Sequence, residues 1–183
     1  KNPLDCWIYQ EILHEVKPDV VVEIGSAFGG ATLFLAHMLD SIGHGEVVSV
    51  DITRANYCVE HARIKTVTGD SSAPDTVRQV RALCQSKRVL IIHDGDHSRK
   101  QVLKDMGTYW DLVSVGSYFV VEDGIVDQFK PAATSAIFGD FPDGGPLAAV
   151  EEFLRWNHSF EVDRSRERYI MTYNPSGFLR RVR

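Results

Sequence analysis

The sequence predicts a single α/β domain of the doubly wound, Rossmann-like kind over residues 1–183, its sheet mostly parallel with an antiparallel strand near the C-terminal end. Three observations carry this expectation. Short continuous apolar runs (Val20–Val22, Val89–Ile92, Tyr118–Val121) read as strands buried on both faces. They alternate with longer segments of helical period, the pattern of strands joined by crossover helices. The 183 residues, 44% hydrophobic and 25% charged, are enough for one substantial core and exclude intrinsic disorder.

The elements follow in order. Asp5–Val16 is helical, with Trp7, Ile8, Ile12 and Leu13 on one stripe, and Lys17-Pro18-Asp19 ends it. Val20–Ile24 is the first strand; a glycine-rich turn leads into the helix Ala31–Ser41. Glu46–Val50 is the second strand and delivers Asp51, and a short helix is expected over Arg54–His61. Ile64–Thr68 is the third strand, ending at Gly69-Asp70, and the small hydroxyls and Pro-Asp of Ser71–Asp75 start the helix Thr76–Gln85. Arg88–His93 is the fourth strand. The helix Ser98–Val113 carries Val102, Leu103, Met106, Trp110 and Val113 at helical spacing, and Ser117–Val121 is a fifth strand ending at Glu122-Asp123. Gly124–Pro146 breaks the rhythm. It is long, rich in Gly, Pro and Ala, contains Phe129, Phe138 and Phe141, and reads as an active-site loop within the domain. Leu147–Asn157 is helical, and Phe160–Tyr173 reads as two strands around the charged turn Asp163–Arg168.

A net charge of -5 argues against a nucleic-acid binder that relies on a basic face. No apolar run is long enough to span a bilayer, and the opening Lys-Asn-Pro has no apolar signal region. Cys6, Cys58 and Cys84 form no Cys-x-x-Cys pair and read as reduced packing thiols of a cytoplasmic protein. The sequence lacks an initiating Met and is expected to be the core of a longer protein.

Ligands of doubly wound sheets sit beyond the carboxyl ends of the strands, so the strand-end residues are the candidates. In Glu23-Ile24-Gly25-Ser26-Ala27-Phe28-Gly29-Gly30, Gly25 permits a tight turn and Gly29-Gly30 permit close approach of a ligand. Asp51 ends the next strand, where a carboxylate can hold both ribose hydroxyls. Alone this is a weak signal, since a degenerate dinucleotide fingerprint or a purely structural turn has the same form. Glu23 tips the reading toward S-adenosylmethionine, because a carboxylate suits an ammonium and a sulfonium and repels a pyrophosphate. Asp70, before Ser71, either accepts the adenine amino group or is a turn residue.

Asp94, Asp96, Glu122 and Asp123 converge if the fourth and fifth strands are neighbours. Carboxylates crowded in one cleft repel unless a cation neutralises them, no Lys or Arg adjoins them in sequence, and hard oxygen ligands suit Mg²⁺. His97, on the turn after Asp94, is a candidate general base for a metal-activated hydroxyl. His14, His37, His44, His61 and His158 have no such context and read as structural or surface residues.

Taken together, these pieces resemble the cephalosporin hydroxylase/rhamnosyl O-methyltransferase family, class I S-adenosylmethionine-dependent enzymes that use Mg²⁺ in the manner of catechol O-methyltransferase. The resemblance runs over nearly the whole chain. It rests on Trp7-Ile8-Tyr9-Gln10-Glu11, Pro18–Gly25, Gly29-Gly30, Val50-Asp51-Ile52, His61-Ala62-Arg63-Ile64 and Gly69-Asp70-Ser71. Further on it includes Asp94-Gly95-Asp96-His97, Tyr118–Asp123, Gly145-Pro146 with Glu151–Leu154, and Phe160–Arg164. It implies that Glu23, Gly25, Ser26 and Gly30 line the methionine end of the cofactor. Asp51 would then hold the ribose, Ile52 lie on the adenine face, and Asp70 and Ser71 stand at its edge. It implies a metal set of Asp94, Glu122 and Asp123, with Asp96 as an alternative ligand in the Asp-x-Asp run, and His97 at the offset of the general base. The acceptor would be a small-molecule hydroxyl, on a sugar or other natural product, with Trp7, Tyr9 and the 124–146 loop shaping its side of the site; the same two aromatics also fit core packing. Helices that shape the acceptor pocket in relatives would lie upstream of this sequence, and a homo-oligomer is compatible with it. Competing readings are a two-His-one-carboxylate iron hydroxylase drawing on His93, Asp96 and His97, a non-catalytic cofactor-binding domain, and a nicotinamide oxidoreductase.

Overall fold

A computed structural model describes residues 1–129 and 141–183. Its strands are β1 (Val20–Ile24), β2 (Glu46–Asp51), β3 (Ile64–Thr68), β4 (Val89–His93), β5 (Tyr118–Val121), β6 (Phe160–Val162) and β7 (Phe178–Arg181). They form one sheet in the order β3-β2-β1-β4-β5-β7-β6. The first five pair in parallel, and β7 runs antiparallel to both β5 and β6. The helices are α1 (Pro3–Val16), α2 (Gly30–Ile42), α3 (Pro74–Cys84), α4 (Arg99–Tyr109) and α5 (Pro146–Trp156). This is the expected doubly wound sheet. Strand order reverses between β1 and β4, which opens the crevice where such folds bind ligands.

The alternation of side chains along the strands decides what faces that crevice. Val22, Ile24, Val50, Ile91 and Phe119 pack with Val80, Met106 and Phe153 of α3, α4 and α5. Their neighbours Val21, Val47, Leu90, Ile92 and Val120 pack with Ile8, Ile12, Leu35 and Leu39 of α1 and α2. Burial on both faces explains why β1 and β4 read as unbroken apolar runs. The same period-two rule sends Glu23 and Glu122 to the α1/α2 side and His93 to the α4 side, as their partners Thr32, Tyr9 and Asp105 attest.

Three expectations are corrected. Arg54–His61 forms turns and no helix: the Arg54 guanidinium donates to Ser49 O at 2.5 Å and Val67 O at 2.8 Å, which ties the segment to the ends of β2 and β3. In the tail, the partner of β6 is Phe178–Arg181, and Asp163–Arg168 holds a 3₁₀ turn at Arg164–Glu167. The residues expected to form the second strand are held instead by α1, with Asp5 accepting from Thr172 Oγ1 at 2.7 Å and from Tyr173 N at 2.8 Å. Cys58 is exposed, while Cys84 is the buried thiol. Of the expected loop, Gly124–Gln128 is a 3₁₀ turn, and Phe138 lies outside the described residues.

Candidate active site

The parallel ladder runs one step beyond the strands. Gly25 N donates to Val50 O at 2.8 Å, Asp94 N to Ile24 O at 2.7 Å and Glu122 N to His93 O at 2.9 Å. Gly25, Asp94 and Glu122 therefore stand in a row at the rim. Gly25 has φ +86°, and a Cβ there would meet Asp94 O at 2.3 Å and Gly95 Cα at 2.4 Å, so only glycine fits. Beside it opens a cleft of about 450 Å³ whose walls include Gly25, Asp51, Ile52, Asp70, Ser71 and Asp94. Ile52 is 73% exposed, an apolar face offered to that cleft. Gly30 opens α2 with no atom within 4 Å of where its Cβ would be.

Asp51 is neutralised by dipoles. Its Oδ2 accepts from Ser26 N at 2.8 Å and Ala27 N at 2.9 Å, and Oδ1 accepts from Thr53 N at 3.1 Å. Burial opposes its ionisation, yet these N–H groups, with Arg54 nearby, hold the carboxyl below its ordinary range. Arg54 itself lies under the turn, donating to Ser26 Oγ at 2.7 Å and Ser49 Oγ at 3.0 Å. Asp70 accepts from Ser72 N at 2.8 Å and Ser72 Oγ at 2.7 Å, so it makes the turn as well as lining the cleft.

Glu23 is fully buried. One of its oxygens accepts from Thr32 Oγ1, and the other, Oε1, meets no donor among the described residues. Burial pushes its carboxyl up to about 7, against the Thr32 hydroxyl and the charge of Lys1. An orphaned acceptor of this kind, under a glycine turn, fits a cationic ligand group.

On the other side of Gly25, ligand atoms of Asp94, His97 and Asp123 lie within 4.8 Å of one another. His97 Nε2 is 3.0 Å from Asp123 Oδ2 and 3.7 Å from Asp94 Oδ1. Burial works against a charged imidazole, but the two carboxylates outweigh it and raise His97 to about 9. Asp123 reaches this position because its backbone is left-handed, φ +59°, with its N–H donating to Asn174 Oδ1 at 3.0 Å. Glu122 and Asp96 fall outside this trio but stay next to it, Glu122 joined to Asp94 through Lys1 and Asp96 on the cleft wall. Glu122 points to α1, accepts from Tyr9 Oη and pairs with Lys1 Nζ at 2.7 Å. Asp96 is exposed and accepts from Ser98 N at 2.8 Å.

Lys1 brings to the carboxylates the cation that their sequence neighbours do not supply. Separated by 93 positions from Asp94, it pairs with Asp94 Oδ2 at 2.8 Å while also holding Glu122. Burial would raise Asp94, but Lys1 and His97 hold it down to about 2. Buried Glu122, beside the charge of Asp94, moves the other way and is raised. Tyr9, buried, serves Glu122, whereas Trp7 is 53% exposed and donates to Glu11 at 2.9 Å. His93 points away from His97 and meets Asp105 Oδ2 at 3.0 Å, so the two histidines do not share a site. Sequence reading missed Lys1, Arg54 and Asp105 altogether; the one local signal was His93, a polar residue closing an apolar strand.

Such a cleft and acidic rim on this strand order define the class I methyltransferase fold, and the solved structures agree. A CmcI structure described with Mg and SAM superposes with TM-score 0.73 at 20% identity, covering 100% of this chain and 73% of that one. The MycE methyltransferase of the mycinamycin pathway, in complex with Mg, SAH and mycinamycin VI, gives TM-score 0.64 at 17% identity over 96% of this chain and 48% of its own. At these identities the likeness establishes the fold. In sequence, rhamnosyl O-methyltransferase of Mycobacterium leprae (strain TN) is 36% identical over 98% of this chain and 78% of its own length. Its namesake from Mycobacterium tuberculosis (strain ATCC 25618 / H37Rv) is 31% identical over 98% and 74%. The rhamnosyl O-methyltransferase/CmcI family matches residues 1–182, and the chain belongs to it. Methyl transfer to oxygen is the reaction class that goes with this membership.

Proposed function

We propose that this chain moves a methyl group from S-adenosylmethionine to a hydroxyl of a sugar or other natural product, with Mg²⁺ at Asp94 and Asp123. The observation that carries the reading is that Asp94 belongs to two places at once: it lines the cleft and it is one of the acidic trio. A donor in that cleft would sit beside the cation. The hard carboxylate oxygens of Asp94 and Asp123 suit Mg²⁺ or Mn²⁺. When bound, the ion supplies Lewis acidity toward an acceptor hydroxyl and the cofactor supplies an electrophilic methyl.

The remaining roles belong to the chain. Glu23 Oε1 takes the cofactor's ammonium, and Gly25, Ser26 and Gly30 let its methionine end approach the backbone. Asp51 Oδ1 has a lone pair to spare for a ribose hydroxyl, since it accepts from Thr53 N alone while Ser26 N, Ser26 Oγ and Ala27 N all meet Oδ2. Ile52 covers the adenine face, and Asp70 and Ser71 bound its edge. His97, partly buried beside both carboxylates, would take the acceptor's proton at Nε2 once a cation on Asp94 and Asp123 offsets the negative charge that holds it protonated up to about pH 9. Exposed Trp7 and Phe129 offer apolar surface for the acceptor. The fold's largest contribution is alignment: nucleophile and methyl held roughly 3 Å apart.

Calorimetry with S-adenosylmethionine and with NAD, each with and without Mg²⁺, tests the cofactor. A methyl-transfer screen over natural-product glycosides tests the acceptor. Asp123→Asn keeps the shape, and Asn tolerates the left-handed backbone. Its methyl transfer is expected to fall about 10³-fold or more, with donor affinity within about threefold. Methyl transfer undiminished by chelation and by this substitution would remove the metal from the reading.

A further inference from the structure

Below the cleft, on the α4 side of the sheet, lies a polar cluster that the reaction scheme does not use. Asp105 is 1% exposed and still forms part of the cleft wall. Its Oδ2 meets His93 Nε2 at 3.0 Å, and its Oδ1 accepts from Ser71 Oγ at 2.8 Å and Gln101 Nε2 at 3.2 Å. Gln101 also lines the cleft. Its Nε2 lies 3.4 Å from the hydroxyls of Ser71 and Ser72. Tyr109 Oη donates to Ser71 O and fixes the wall from behind.

This arrangement determines which end of the Gln101 amide a ligand meets. Asp105 Oδ1 already accepts from Ser71 Oγ, so the end of the amide that faces it is the NH₂. The Ser71 hydroxyl, already donating to Asp105, has only lone pairs left for Gln101, and Ser72, donating to Asp70 at 2.7 Å, is in the same state. Every group around Nε2 is therefore an acceptor. The carbonyl Oε1 is the end of the amide left for the cleft, and it selects for a donor.

We propose that Gln101 Oε1 reads the exocyclic amino group of the cofactor's purine, with Asp105 and His93 as positioning residues that keep the amide from flipping. This moves base recognition from Asp70, whose Oδ1 is held in the turn by Ser72, to the first turn of α4. The inference rests on the donor reading above and adds to it a residue that tells an amino group from an oxo group.

The test compares S-adenosylhomocysteine with S-inosylhomocysteine, which carries an oxygen in place of that amino group, by calorimetry. Unmodified protein is expected to prefer the adenosyl compound by about tenfold or more, because the oxo group would face a carbonyl with no shared hydrogen. Gln101→Leu should bring the ratio to about threefold or below by removing the acceptor. Gln101→Met, which deletes the same carbonyl, serves if the leucine variant melts early. Asp105→Asn can turn its own NH₂ toward Gln101, so it should lower the ratio without abolishing adenosyl binding. A merely structural Gln101 would weaken both ligands equally and leave the ratio unmoved. Retention of the ratio in both Gln101 variants, or its loss in Asp70→Ala alone, overturns the proposal while the donor reading stands. Binding of neither compound by the unmodified protein overturns the donor reading, and this inference with it.

Discussion

The two sides of Gly25 manage negative charge in opposite ways. Toward β2, Asp51 is met by backbone N–H groups of Ser26, Ala27 and Thr53, which the fold itself holds in place. Toward β5, Asp94, Glu122 and Asp123 are met by the side chains of Lys1 and His97. Dipoles built into a turn cannot leave without unfolding it, whereas an ammonium on a flexible stem can swing aside for another cation. The first side is a cradle set in advance; the second is a set of carboxylates whose cationic partners can be exchanged. A donor that binds first and a metal that enters by displacement would use the two sides accordingly.

The largest effect is expected where the two sides touch. Gly25→Ala places a Cβ 2.3 Å from Asp94 O in a left-handed conformation. It should destabilise the chain by about 3 kcal/mol or more and weaken donor and Mg²⁺ together. A thermal melt and two titrations check this, and normal affinity for either ligand would show that the sides are not joined there.

Next comes Asp51→Asn, which touches the cradle alone. Donor affinity should drop about tenfold with Mg²⁺ binding unchanged. The folded carboxyl lies below the ordinary 3.8, so its contribution to stability is present above that value and is lost as pH falls through the folded value. The stability gap between Asp51→Asn and the unmodified chain should therefore close in acid melts below pH 3.8. A gap that persists there would mean that packing, not charge, holds the turn.

Lys1→Met carries the smallest effect and sharpens the exchange idea. Removing the resident ammonium should tighten Mg²⁺ roughly fivefold, about 1 kcal/mol, with donor affinity little changed. Weaker Mg²⁺ binding in that variant would make Lys1 a support for the acidic side instead of an occupant of it.

Much of this was legible in the chain because both signals are local. Val20–Ile24 and Val89–His93 announce buried strands, and a carboxylate closing such a run has to stand on the rim. The pattern could place Asp94, Glu122 and Asp123 there but could not aim them. Glu122 keeps the strand's alternation and turns to Tyr9, while Asp123 leaves it through a backbone angle stabilised by Asn174, far along the chain. Lys1 and Asp105 were illegible for the same reason: their partners adjoin them only once the sheet is wound. The tail misled because Phe160–Val162 looked for its partner nearby, whereas its partner β7 had to pair with β5 as well.

Asn174 has one more consequence. It is fully buried, its Oδ1 holds the Asp123 amide, and its own N–H rests on Thr172 Oγ1, which in turn reaches Asp5 of the first helix. The aim of Asp123, which the proposed function gives to the metal, is thus set by the first helix and the 172–174 segment meeting behind it. Grafting the final stretch of a related enzyme onto this scaffold would import that enzyme's trigger angle along with its surface.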